Sequence, residues 1–224
     1  MTPSPTTSVD TRDMLVVHDS IRRQFGEAPA LVRGVAPGDT ARAAVVADHL
    51  DLIGALLHHH HHVGEDRLLW PVLQPRVPAD VVATVAGMES QHDGIAEAQR
   101  TVAAAVAAWR PAAGAVEREA LAAAWEGMVE RITEHLAAEE QHILPLAAEH
   151  MTPAEWQRLG EEGIGGLPRK QLPLVFGMVM YRADPEVIRG MLSHAPLLPR
   201  LLMPRLAPRA YARYAVRVHG TATP

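Results

Sequence analysis

Two segments 74 residues apart carry the same arrangement of side chains. HHVGEDRLLWP, from His61 to Pro71, returns as HLAAEEQHILP, from His135 to Pro145, and the HDSI that begins at His18 returns as the HDGI that begins at His92. Each copy therefore supplies one lone histidine and one His-x-x-x-Glu. A repeat of this kind restricts the chain to folds in which four segments bring side chains to one level. It also sets the register of the run of five histidines at 58–62. Under the shift, His58, His59, His60 and His62 fall on Ile132, Thr133, Glu134 and Leu136, and only His61 meets another histidine.

The segments around these positions are helical by pattern. Residues 11–35, 40–74, 79–109 and 115–149 are rich in Ala, Leu, Val and Glu, and APGDT, QPRVPAD and RPAAGA between them are turn chemistry. The midpoints of His18/His61, His61/His92 and His92/His135 fall in PGDT, in PRVP and beside Gly114. That spacing predicts an all-α fold, an up-down-up-down antiparallel four-helix bundle over residues 11–150 with its histidines at one level. Residues 1–10 are expected to form a disordered tail, and residues 151–224 a short-helical, Pro/Arg-rich extension.

Helix geometry then selects the inner face. Positions four apart differ by about 40°, so His61 with Glu65, and His135 with Glu139, point the same way. His18 and His92 share a face with apolar neighbours. Four imidazoles and two carboxylates converge, and buried carboxylates without partners are costly unless cations neutralise them. The chain has no cysteine, so any metal is held by nitrogen and oxygen, a donor set suited to iron, manganese or zinc. The candidate ligands are His18, His61, Glu65, His92, His135 and Glu139. His58, three residues before His61, is the nearest candidate for a fifth histidine, and His142 also falls near an inner face. His59 and His60 are expected to turn outward. Asp66 and Glu140 are read as solvated groups or acceptors behind the ligands, and Asp19 and Asp93 as candidates to orient the imidazoles they follow. His49, His150, His194 and His219 show no constellation.

Over about residues 10–150 these motifs, His18, HxxxE at His61/Glu65, His92 and HxxxE at His135/Glu139, resemble the hemerythrin-like (HHE cation-binding) family. The resemblance implies a non-heme di-iron centre, oxo- or hydroxo-bridged, with the glutamates bridging and two histidines on each iron. Ferritin-like di-iron proteins use Glu-x-x-His instead. Oxygen-carrying hemerythrins use a fifth histidine, so ligation by four favours redox reactivity over simple oxygen carriage. Three functions follow as expectations: a protein that senses or scavenges O2, NO or peroxide; an oxygen-activating or peroxide-consuming oxidoreductase, in particular an oxidase or oxygenase acting on a small organic substrate in an apolar pocket of Met14, Ile21, Phe25, Met88, Ile95, Met128 and Ile132; or iron storage or delivery for the repair of iron centres.

The net charge of −5 hides an asymmetry. Residues 1–150 hold 11 Lys+Arg against 21 Asp+Glu, and residues 151–224 hold 10 against 5. The basic end lacks the aromatic interleaving of a nucleic-acid binder. Its segment LSHAPLLPRLLMPRLAPRAYARYAVRV alternates leucines with arginines, and four prolines are expected to break it every few residues. Covering a bundle face is the first expectation for it, a homodimer contact the second and an anionic membrane the third. No apolar run is long enough to span a bilayer, and the expected location is the cytoplasm.

Overall fold

The computed structural model describes residues 8–224, apart from the side chains of residues 79–81 and 164–165. The first seven residues of the expected tail lie outside that range. Val9, expected in the same tail, is docked: it is buried, and its N–H donates to the Ala148 carbonyl at 3.1 Å.

The chain is all-helical among the described residues. α1 (Arg12–Arg33), α2 (Thr40–His59), a π-helical segment (His60–Leu69), α3 (Trp70–Leu73), α4 (Ala79–Trp109), α5 (Ala115–His142) and α6 (Leu144–His150) come first. α7 (Pro153–Gly165), α8 (Leu172–Met180), α9 (Pro185–Ser193) and α10 (Leu197–His219) follow. α1 packs on α2 and α5, and α4 packs on α5 and α2, which closes a ring of four. The first turn is set by Asp39, whose carboxylate accepts the Arg42 N–H at 2.9 Å, and by Gly38, whose φ of +83° lies in the region that side chains disfavour. The Gly38 N–H donates to Ala113 in the α4–α5 turn, so these two turns meet at one end.

Two apolar clusters fill the ring. One holds Phe25, Leu50, Ile53, Leu57, Ile95, Trp109, Trp125, Met128 and Ile132. The other holds Met14, Leu69, Trp70, Met88, Ile143, Leu144, Trp156 and Leu159. Along α1 the chain passes from the second cluster to the first through His18. Along α2 and the π-helical segment it returns through His61, along α4 it crosses through His92, and along α5 it returns through His135. A polar layer is thus clamped between two apolar ones. Each large apolar side chain buried there stabilises by roughly 1.5–3 kcal/mol, which offsets the cost of holding imidazoles and carboxylates away from water.

The π-helical segment ends against a proline, as the α-helical second copy also does at Pro145. Pro71 has no N–H, so the Arg67 carbonyl cannot close an α-helical bond with it. The Trp70 N–H instead reaches back five residues to the Glu65 carbonyl. α7 supports this turn from outside. Leu159 lies against Gly64, where a Cβ would stand 3.7 Å from its Cδ1, and a His59 ring nitrogen lies 3.2 Å from the Glu162 carbonyl. α7 starts with a capping box of Thr152 and Glu155: the Glu155 N–H donates to Thr152 Oγ1 at 3.3 Å, and the Thr152 N–H to Glu155 Oε2 at 2.9 Å.

α8 and α9 pack on α1, and α10 packs on α8 and α2. A Cβ at Gly177 would fall on the Ala207 carbonyl, so α8 and α10 approach as closely as they do because that residue is glycine. α10 corrects one expectation, since it runs unbroken through Pro204 and Pro208. Each proline removes one backbone bond, but Ala207, Tyr211, Ala215 and Val218 stay buried on the packed side and hold the helix together.

Candidate metal centre

His61, Glu65, His92 and His135 form one group of converging donor atoms, and His18, His60 and Glu139 form a second. The structure thus brings together all six ligands expected from the repeat and adds His60. Glu65 lies between the groups. Its Oε1 is 3.0 Å from His60 Nε2, and its Oε2 is 3.0 Å from His92 Nε2 and 3.7 Å from His135 Nε2. Glu139 Oε2 likewise lies 3.3 Å from His18 Nε2 and 3.9 Å from His135 Nε2.

These separations suit a shared cation better than hydrogen bonds. Both oxygens of Glu65 and of Glu139, and Nε2 of His18, His60 and His61, are buried with no hydrogen-bond partner. His92 Nε2 and His135 Nε2 are 3.1 Å apart. Two nitrogens about 2.1 Å from one metal and at right angles stand about 3 Å apart. Buried carboxylate oxygens and imidazole nitrogens without hydrogen-bond partners, at that spacing, fit a bound metal ion.

The far ring nitrogens are held by other residues. His18 Nδ1 lies 2.8 Å from Glu140 Oε1, which Arg22 also grips at 2.8 Å. His92 Nδ1 lies 2.7 Å from Asp66 Oδ1, and Trp70 Nε1 donates to the same oxygen at 3.2 Å. His135 Nδ1 lies 3.1 Å from Gln91 Oε1. Each contact turns Nε2 toward the centre. Asp66 and Glu140 are therefore the orienting acceptors, whereas Asp19 instead pairs with Arg22 at 3.4 Å.

Charge follows the same plan. Burial opposes protonation of His18, but Glu139 and Glu140 outweigh it and hold its pKa at about 9. Burial is likewise overcome at His92 by Glu65 and Asp66, again at about 9. Burial keeps His61 neutral, well below its usual range. Around Glu65 burial raises the carboxyl, and His60, His135 and His92 reverse it to well below the ordinary value. The layer calls for positive charge beside the ionised Glu65.

The fifth histidine is where the sequence reading needs correction. His58 is exposed and lies beside His62, with ring centroids 4.4 Å apart and planes tilted by 56°, and His142 is exposed on α5. His60, expected to face outward, points inward because closure over five residues returns it to the side of Glu65. In the second copy the helix stays α, and Glu134 at the matching position is exposed. The proposed pocket also needs correction. Its seven residues are core, Met14 and Met88 on one side of the polar layer and Phe25, Ile95, Met128 and Ile132 on the other, with Ile21 half-buried against them. Core and pocket linings share one helical period, so spacing could not separate them. Two surface pockets, beside Arg33 and Glu126 and beside Arg42 and His219, touch none of the seven.

Away from the centre, His49 and His219 also come together. Their ring centroids are 5.6 Å apart, and His49 Nδ1 lies 3.0 Å from the Tyr214 hydroxyl.

The family model described as the Hemerythrin HHE cation binding domain matches residues 9–147. No curated protein and no solved structure matches the chain.

Proposed function

Since this chain belongs to the hemerythrin HHE cation-binding family, we propose that it is a non-heme di-iron protein whose centre reacts with O2, NO or peroxide in a sensing, scavenging or redox role. The observation that carries this reading is the position of Glu65, with one oxygen toward His60 and the other toward His92 and His135. A carboxylate between two groups of imidazoles is the arrangement that two neighbouring cations require.

His61, His92 and His135 would hold one iron and His18 and His60 the other, with Glu65 and Glu139 spanning both. Iron held this way supplies reversible electron transfer to a small oxidising ligand. The chain's residues decide what reaches it. Three imidazoles crowd one side and two the other, so the His18/His60 side has more room for a ligand, and with His60 as a fifth histidine reversible binding of O2 is as open to this centre as redox reaction with it. Asp66, Glu140 and Gln91 fix the imidazoles, and the apolar clusters above and below exclude bulk water. The filled core supports a diatomic or similarly small ligand. An oxidase or oxygenase acting on an organic substrate would need space where Phe25, Ile95, Met128 and Ile132 are packed. Storage or delivery of iron would be favoured by exposed ligands, and six of these seven residues are almost wholly buried.

The test is metal analysis of protein prepared without oxygen, with optical spectra before and after addition of O2, NO or peroxide. About two irons per chain and a spectrum that changes on addition support the reading. Zinc occupancy, or iron that responds to none of the three, would overturn it.

A further inference from the structure

We propose that the outward face of α10 docks the protein on an anionic phospholipid surface. The packed side of this helix is accounted for by Ala207, Tyr211, Ala215 and Val218. Leu197, Leu198, Leu201, Leu202 and Leu206 in its first turns are 47% to 69% exposed, and of these Leu198, Leu202 and Leu206 face away from the packed side. Five leucines left in water on one helix are unusual, and together they offer roughly 500 Å² of apolar surface, comparable to the largest patch on an ordinary soluble protein. Nothing among the described residues covers them.

The charge around the leucines names the partner. From residue 187 to residue 224 the chain has six arginines and no acidic residue. The ion pairs of this region are Arg189 with Glu186 and His219 with Glu27. Arg200, Arg205, Arg209 and Arg213 thus have no carboxylate partner among the described residues. At 100° per residue, Arg205, Arg209 and Arg213 share the outward side with Leu198, Leu202 and Leu206. The leucines occupy the first half of that side and Arg205, Arg209 and Arg213 follow them, so the leucines can sink among acyl chains while the arginine stems lie along the apolar surface and their guanidinium groups reach up to lipid phosphates.

A second copy of the chain fits less well. A two-fold contact would set this arginine face against itself, and the leucine area falls short of the ~800 Å² per partner of a stable interface. Spanning the bilayer is not available to α10, because no helix among the described residues is long and apolar enough to cross one. Pro204 and Pro208 fit an interfacial position. They leave the carbonyls of Arg200 and Pro204 without their usual N–H partners, and water in the headgroup layer satisfies them. The acidic bundle, repelled by the same surface, turns α10 toward it.

This inference does not depend on which metal the centre holds. The test is co-sedimentation of the full chain with phosphatidylcholine vesicles, with and without phosphatidylglycerol, at low and high salt. Binding should require phosphatidylglycerol, weaken in salt, and fall roughly tenfold or more in the double variant Arg205→Gln/Arg209→Gln and in Leu198→Gln/Leu202→Gln. All four side chains point outward, so metal content and melting temperature should match the parent. Equal binding to both vesicle types, or no effect of either variant, would overturn the proposal. So would absence of vesicle binding together with a dimer in sedimentation equilibrium that Leu198→Gln/Leu202→Gln dissociates, since a second copy would then cover the face.

Discussion

His60 Nε2 lies 3.0 Å from Glu65 Oε1, although an α-helix would set residues five apart about 140° around its axis. The contact exists because the helix closes over five residues here. The π-helical turn adds an imidazole to the first copy of the repeat that the second copy has no means to supply, and it makes the two sides of the centre unequal.

The first prediction concerns the histidine run. His60→Ala should lower metal affinity by roughly a hundredfold or more and alter the optical spectrum of what remains bound. His58→Ala and His59→Ala should change neither. The measurement is metal content by elemental analysis beside the spectrum, and an unaltered His60→Ala protein in both would remove His60 from the centre.

The acceptors behind the ligands have their own signature. Glu65→Gln and Glu139→Gln should abolish stable loading, because each removes a charge shared by both histidine groups. Asp66→Asn and Glu140→Gln should each weaken metal binding by about 10–100-fold while still allowing it at high metal. Asp93→Asn should be silent. Titration of metal-free protein with ferrous iron separates these cases. Equal losses at Asp66 and Glu65 would mean that the assignment of ligand and acceptor is wrong.

Most of the helices could be read from turn chemistry and apolar period, because PGDT, PRVP and RPAAG leave little choice of boundary. His18, His61, Glu65, His92, His135 and Glu139 could be read because the chain repeats them. His60 could not, since the 74-residue shift places it on Glu134 and an α-helical projection turns it outward. Pro71 was no sign of it, because Pro145 stands at the matching place in the second copy, where the helix stays α. Gln91 and Arg22 were equally hidden: they act through the far nitrogens of His135 and the carboxylate of Glu140, and neither role has a spacing. His49 and His219 lie 170 positions apart, and only the return of α10 onto α2 joins them.

That return makes the fold sensitive to acid. Burial, aided by the nearby His219, drives the pKa of His49 down to about 3. Burial and Arg42 also lower that of His219. Unfolding exposes His49, which then takes up a proton below about 6.5. Stability from this residue is thus full above that value and is lost as pH falls toward 3, by about 2 kcal/mol at pH 5. His49→Gln, which keeps a polar partner for Tyr214, should lose less stability between pH 7 and pH 5 than the parent by about that amount. Urea unfolding of metal-free protein at the two pH values is the check, and an identical pH response in both proteins would sink the idea.

The last prediction tests whether the metal centre ends where the repeat ends. Every ligand lies before Met151, yet α7 packs on the π-helical turn. Trp156 is buried in the same cluster as Leu69 and Trp70, and its Nε1 donates to the Asp13 carboxylate at 3.1 Å. Trp156→Ala should therefore cost about 3 kcal/mol. Because that loss loosens the segment carrying His60 and Glu65, metal should also dissociate faster. A chain ending at His150 should show both defects more strongly, whereas one ending at Leu167 should keep the site and lose only the α8–α10 cover of α1 and α2. Unfolding midpoints and the rate of iron loss to a chelator decide between the two ends. If the chain ending at His150 retained iron as long as the one ending at Leu167, α7 would be a neighbour of the turn and not its support.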